Sequence, residues 1–253
     1  MPTIEQKAKS KKVRNPFKAI PWYGWVGAII FIVFQLGLYK LACFFAQQVP
    51  WPINPKINVI DNAIPYCPYF FIEIYFLAYG FWFIAPLWIS TSKKKDNFIN
   101  FMIFSTIASF IGFIWMILMP TFMDRVQEGL IEKAANIKTP ITRFLMQSII
   151  KMDTGNIGWN LCPSYHCMAS AICAYGVLKR KEHCLGTQIG FGVMAILVCM
   201  ATVFVKQHYF VDILGGVGVA TIPYIIVCCV WHPGEKIILD NPYFMDLKKK
   251  IKK

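Results

Sequence analysis

The feature that most constrains this chain is a series of long apolar runs set apart by short basic segments. A membrane helix needs about 20 mostly apolar residues, because the bilayer's hydrocarbon core is about 30 Å thick and a helix rises about 1.5 Å per residue. Six runs are candidates: Trp22 to Phe45, Tyr69 to Ser90, Phe98 to Met119, Pro163 to Leu178, Cys184 to Val205 and Tyr209 to Trp231. The fourth is the shortest, and its start is expected below the membrane surface, inside the bundle. A closed β-barrel also spans lipid, but it requires period-two alternation, and these runs are apolar on every face. Composition agrees. Hydrophobic residues make up 57% and charged residues 15% of the chain, against about 25% charged in an ordinary soluble domain. This excludes a disordered chain, a collagen and a small disulfide scaffold. The expected fold class is all-α: a polytopic membrane protein with a six-helix bundle.

The net charge is +13, from 26 Lys and Arg against 13 Asp and Glu. Such a balance suits either nucleic acid or anionic lipid, and position discriminates. The basic residues sit beside the spans, so the bilayer is the expected partner and nucleic acid is not. One side of the membrane receives Lys7, Lys9, Lys11, Lys12, Arg14 and Lys18, then Lys93 to Lys95, then Lys179 to Lys181, then Lys236 and the lysines from Lys248 to Lys253. The other side receives fewer: Lys56, Arg125, Lys133, Lys138, Arg143, Lys151 and Lys206. Lys40 lies within the first span and is expected to snorkel outward. The positive-inside rule then places both termini in the cytoplasm and the loop 120–162 outside or in a lumen. Three regions follow: a basic arm over 1–21, a membrane domain over 22–231 and a basic tail over 232–253, both ends flexible and held near anionic headgroups.

Of the nine cysteines, Cys43, Cys167, Cys173, Cys199, Cys228 and Cys229 fall in spans and read as small apolar residues. Cys67 and Cys162 share the outer side, where a disulfide and two free thiols both stay open. No cysteine or histidine spacing resembles a zinc site, so no metal or other cofactor is expected.

Polar residues beside spans are costly and are functional candidates by default. His183 and His232 lie at cytoplasmic span ends and read as solvated interfacial residues. His166 and His208 differ, because both fall at the outer level. His166 follows Pro163 and Ser164 at the start of the fourth span. Pro suits the first turn of a helix, and the free N–H groups there, with the Ser164 hydroxyl, suit an anion. His208 and Asp212 are spaced i, i+4 and share a helix face. A carboxylate there holds one imidazole nitrogen and leaves the other free to attack. Lys206 brings positive charge beside them. Arg125, just past the third span, suits forked binding of phosphate oxygens, although taken alone it is equally a solvated loop charge.

These segments resemble the type-2 phosphatidic acid phosphatase superfamily, whose motifs are Lys-x6-Arg-Pro, Pro-Ser-x-His and Ser-Arg-x5-His-x3-Asp. Pro163, Ser164 and His166 meet the second, His208 and Asp212 meet the core of the third, and Arg125 alone meets the first. The resemblance covers Met119 to Gly216. Leu118 and Val126 stand in the first motif's Lys and Pro positions, and Ala201 and Thr202 in the third motif's Ser and Arg positions. Two family cations are therefore missing, and Lys206 is a candidate replacement for one. The Pro120-Thr121-x3-Arg125 form resembles a branch that includes inositol phosphorylceramide synthase-like proteins and many bacterial membrane phosphatases.

The resemblance implies a mechanism. His208 attacks phosphorus and becomes phosphohistidine, Asp212 orients it, and His166 protonates the leaving alkoxide and then activates the acceptor. Ser164, Arg125 and Lys206 hold the phosphate oxygens, with no metal required. The implied substrate is a phospholipid or polyprenyl phosphate or pyrophosphate, cleaved on the extracytoplasmic or luminal side of a plasma or internal membrane. Transfer of a phospho-headgroup to a lipid alcohol is the alternative, and a non-catalytic transporter or scaffold is a third reading. Asp153, Asn156 and Asn160 are candidates to line a headgroup pocket. Glu128, Glu132, Lys133 and Lys138 are spaced for a surface helix or a lid.

Overall fold

The computed structural model describes residues 20–92, 94–153, 155–178 and 182–240. The basic arm other than Ile20 and Pro21, Lys93, the cluster Lys179 to Lys181 and the tail beyond Asp240 lie outside the described residues.

Among the described residues, five helices are long and apolar enough to cross a membrane: α1 (Trp22–Ala46), α3 (Pro68–Ser90), α4 (Lys95–Leu118), α8 (Leu185–Phe204) and α9 (Phe210–Ile225), which runs on as a π-helical turn, Ile226–Trp231. Pro223 precedes that turn. A helical proline removes one N–H donor and displaces the carbonyl a turn earlier, a common setting for altered hydrogen bonding.

The expected fourth span is a much shorter helix, α7 (Tyr165–Val177). Its 13 residues rise about 20 Å, too little to cross about 30 Å of hydrocarbon. All of its residues except Ala174 and Tyr175 are buried, because it packs against α3, α4, α8 and α9 at the centre of the bundle. A helix sheathed by protein need not match the bilayer's thickness. Its alanines, Ser170 and Gly176 let neighbours come close: a Cβ at Gly176 would collide with Ile89, and one at Gly216 of α9 with the Ser164 carbonyl. Polar side chains join helices across the apolar interior. The Gln35 amide donates to Ser109 Oγ (2.7 Å), Trp82 Nε1 to Ser170 Oγ (3.0 Å) and Tyr165 Oη to the Ser109 carbonyl (2.9 Å).

One end of the bundle carries a layer built from α2 (Asn58–Ala63), β1 (Phe122–Asp124), α5 (Leu130–Ala135), α6 (Pro140–Met152) and β2 (Ile157–Trp159). The all-α expectation thus gains two short strands. They pair antiparallel, Phe122 opposite Trp159 and Asp124 opposite Ile157, and close the base of the long loop. Lys40 does reach this end, where its ammonium donates to the Met152 carbonyl at the end of α6 (2.6 Å).

Three expectations change, and the alternative left open at Cys67 and Cys162 is resolved. The residues Glu128 to Lys138 do not form one helix: α5 holds only Glu132 and Lys133 of the four, while Glu128 turns back to pair with Lys56 (2.8 Å). Cys67 and Cys162 are both free thiols; Cys67 precedes α3, while Cys162 is buried against α9 at Gly215. His183 is buried, not solvated. The start of the tail is helical: α10 (Pro233–Asp240) packs on α4, with the Gly234 N–H donated to Asn100 Oδ1 (2.8 Å).

Candidate active site

Chain direction places His166 in the first turn of α7. Ser164 is the N-cap, and its hydroxyl accepts the Cys167 N–H (3.3 Å). Pro163 therefore precedes the helix. The fully buried Ser164 hydroxyl already serves the helix end, and its N–H is donated to the Asp212 carbonyl (3.0 Å). That bond ties the segment of one histidine to the segment of the other.

His208 lies in the tight connection between α8 and α9. Lys206 takes a left-handed conformation (φ 55°), and the N–H groups of Gln207 and His208 both donate to the Thr202 carbonyl (3.0 and 3.1 Å). The turn delivers His208 to within 6.0 Å of His166, measured between ring centroids. Asp212 is fully buried in the first turn of α9. Its Oδ2 accepts the Tyr209 N–H (2.8 Å) and lies 3.3 Å from His208 Nδ1. A carboxylate is an acceptor only, so the proton sits on Nδ1 and Nε2 is left bare. Burial acts to lower the His208 pKa, but the hydrogen bond to Asp212 and its negative charge outweigh it and raise the value above 6.5.

Arg125 is fully buried, immediately after β1. Its Nη1 donates to the carbonyls of Asp153 (2.8 Å) and Gly155 (2.7 Å), and its Nη2 to Gln207 Oε1 (2.9 Å). The Asp153 carboxylate stands 3.4 Å from Nη2 and also accepts from Tyr39 Oη (2.8 Å). Gly158 makes room for the guanidinium, since a Cβ there would sit 2.9 Å from Nη2. Arg125 is thus a held cation rather than a solvated one. Six buried polar atoms in these converging segments have no hydrogen-bond partner: Arg125 Nε, both amide atoms of Asn160, Gln207 Nε2, His166 Nε2 and Asp212 Oδ1. Native proteins pair almost all such groups, so the donors among them, Arg125 Nε, Asn160 Nδ2 and Gln207 Nε2, suit a bound anion.

The other expected residues divide. Lys206 donates to the carbonyls of Asp61 (2.7 Å) and Ile64 (2.5 Å), and burial lowers its pKa. It lines the site but is already engaged by α2. Asn156 is exposed and contributes only its backbone carbonyl, which accepts the Arg125 N–H (2.9 Å).

Two cavities that share no lining residue open on the pair. The one at His208, about 270 Å³, is polar, with Lys56, Glu128, Lys133, Lys206 and the buried, unpartnered Tyr66 hydroxyl in its wall. The one at His166, about 440 Å³, is mostly apolar and lies among Leu36, Phe76, Tyr79, Trp82, Ile149 and Met152. Tyr75, Tyr79 and Trp82 surround the His166 ring at centroid distances of 4.2, 5.7 and 5.0 Å. Sequence reasoning missed these aromatic residues and Gln207. The aromatic residues do recur at i, i+4 and i+7 on one face of α3, but so do ordinary core side chains. Gln207 carries no signal beyond its place next to His208. Among the described residues, no three His, Cys, Asp or Glu side chains gather as a metal site.

The sequence model of the PAP2 superfamily matches residues 62–226, a stretch that contains Arg125, His166, His208 and Asp212. Among curated proteins and solved structures, none matches the chain significantly.

Proposed function

Because this chain belongs to the PAP2 superfamily, whose members are phosphatases or phosphotransferases, we propose that it releases phosphate from a lipid phosphate or pyrophosphate through a phosphohistidine. The observation that carries the reading is the pair of buried histidines 6.0 Å apart, one of them held by a buried carboxylate. His208 Nε2 attacks phosphorus while the bond from phosphorus to the lipid oxygen breaks. Asp212 offsets the positive charge that grows on the imidazole. His166 gives a proton to the departing oxygen, then takes one from the water that cleaves the P–N bond. Phosphoryl transfer depends mainly on positioning and on charge stabilisation. Arg125, held by the Asp153 and Gly155 carbonyls, and the amides of Gln207 and Asn160 serve that end. This chemistry uses no metal.

The membrane arrangement is part of the proposal. Five long helices and α7 form a six-element bundle, with both termini cytoplasmic and the histidines on the extracytoplasmic or luminal side. The basic residues beside the spans support this orientation. The membrane domain is 22–231, flanked by the basic arm 1–21 and the tail 232–253.

The test is phosphate release in detergent with EDTA, from phosphatidic acid and from a polyprenyl diphosphate, by wild type and His208→Ala. Release that vanishes in the variant is expected. Equal release from both proteins, or wild-type release abolished by EDTA and restored by magnesium, would overturn the reading.

The polar cavity at His208 favours a second reading, headgroup transfer. A monoester leaves only small oxygens on phosphorus once the lipid departs, whereas a cavity of about 270 Å³ beside the nucleophile has room for a polar group that stays attached. With a headgroup-labelled phospholipid, transfer would leave the label on His208 and then on a new lipid. Hydrolysis of a monoester would leave none there.

A further inference from the structure

The two histidines must do different work, and their Nδ1 partners differ accordingly. His208 is held by a carboxylate, but His166 is held by a phenol. Tyr75 on α3 is fully buried, and its hydroxyl lies 3.3 Å from His166 Nδ1. Trp82 and Tyr79 confine the plane of the ring. Trp82 is itself fixed by its bond to Ser170, one turn beyond His166. Rotation of the imidazole within that box is left to the hydroxyl. With Nδ1 engaged, the buried and unpartnered Nε2 is the atom available for proton exchange.

We propose that Tyr75 is a positioning residue for His166, holding Nδ1 so that Nε2 serves both halves of the reaction. The assignment rests on the phosphohistidine reading above. In the first half, the His166 imidazolium gives its Nε2 proton to the lipid oxygen as the P–O bond breaks and the bond from His208 to phosphorus forms. The ring becomes neutral and keeps its Nδ1 proton on the Tyr75 oxygen. In the second half, bare Nε2 takes a proton from water as the new P–O bond forms and the P–N bond breaks, which restores the imidazolium. A phenol suits this cycle better than a carboxylate would. It accepts from Nδ1–H without adding a negative charge beside the substrate phosphate, and without holding the ring permanently in its charged form. A nucleophile has no such cycle to complete, which is consistent with a carboxylate at His208.

The experiment compares Tyr75→Phe with wild type in single-turnover phosphorylation of His208, using decyl phosphate and p-nitrophenyl phosphate. An alkoxide needs a proton to leave and a nitrophenolate does not. General acid catalysis contributes about 100- to 10,000-fold. The variant should therefore lose about 10- to 100-fold with decyl phosphate and less than about 3-fold with the aryl ester. In a His166→Ala background the same substitution should have little further effect, because the phenol acts through the imidazole. Equal losses with both esters, no loss with either, or full additivity with His166→Ala would overturn the assignment. Absence of phosphorylated His208 in the wild type would refute the parent reading and this one with it. Phosphorylated His208 with equal losses would refute only the role of Tyr75.

Discussion

Replacing Asp212 with asparagine isolates the charge at the nucleophile. The substitution keeps a side-chain oxygen for the Tyr209 N–H, so the start of α9 is preserved. What it removes is a carboxylate 3.3 Å from His208 Nδ1. At that separation a full positive charge on the ring is attracted by about 5 kcal/mol with an effective dielectric of about 20. If about half of that charge has developed in the transition state, about 2.5 kcal/mol is lost, or about 70-fold in rate. Rapid-quench measurement of His208 phosphorylation reads this directly, and substrate binding should change little. The pH profile gives a second readout. A nucleophile must be neutral, so with p-nitrophenyl phosphate, whose leaving group needs no proton from His166, phosphorylation rises with pH and levels off above the pKa of His208. In the wild type that limb lies above 6.5, because the hydrogen bond and charge of Asp212 outweigh burial. In Asp212→Asn both contributions of Asp212 are lost while burial remains, and the limb moves to lower pH. A loss under about 5-fold, or an acid limb that stays where it was, would refute the pairing of His208 with Asp212.

The other predictions test the anion site and the packing that supports it. Gln207→Glu should reduce kcat/KM by about 100-fold or more, since a carboxylate beside the buried Arg125 competes with substrate phosphate; unchanged hydrolysis would remove Gln207 from the site. Arg125→Lys keeps the charge but not the fork that spans two carbonyls and Gln207, and should lower kcat by about 10- to 100-fold. Gly216→Ala drives a methyl group into the Ser164 carbonyl and should cost about 1–3 kcal/mol, read as a lower unfolding midpoint in detergent. Gly218→Ala, with open space at its Cβ, should leave the midpoint unchanged.

Local pattern was enough to locate the long helices. The apolar runs beginning at Trp22 and ending at Ser90 coincide with helix ends to within a residue, because lipid-length helices are written as continuous apolar sequence. The i, i+4 spacing of His208 and Asp212 was likewise legible, since helical periodicity brings such residues onto one face. The short run beginning at Pro163 read as a span, because its composition is that of buried sequence. Whether lipid or protein covers such a helix depends on neighbours from other parts of the chain. In this protein, α3, α4, α8 and α9 enclose α7, so its length is free of the bilayer's thickness.

The same limit applies to the site. The sequence by itself determined the class of protein and the pairing of His208 with Asp212, both of which are properties of single segments. Only the tertiary structure decided which groups hold Arg125, that Lys206 is bound by the carbonyls of Asp61 and Ile64, and that Tyr75 stands against His166. Those contacts join residues far apart in the chain. The geometry that aims a buried polar group is set by the packing of whole helices, which no spacing within one segment encodes.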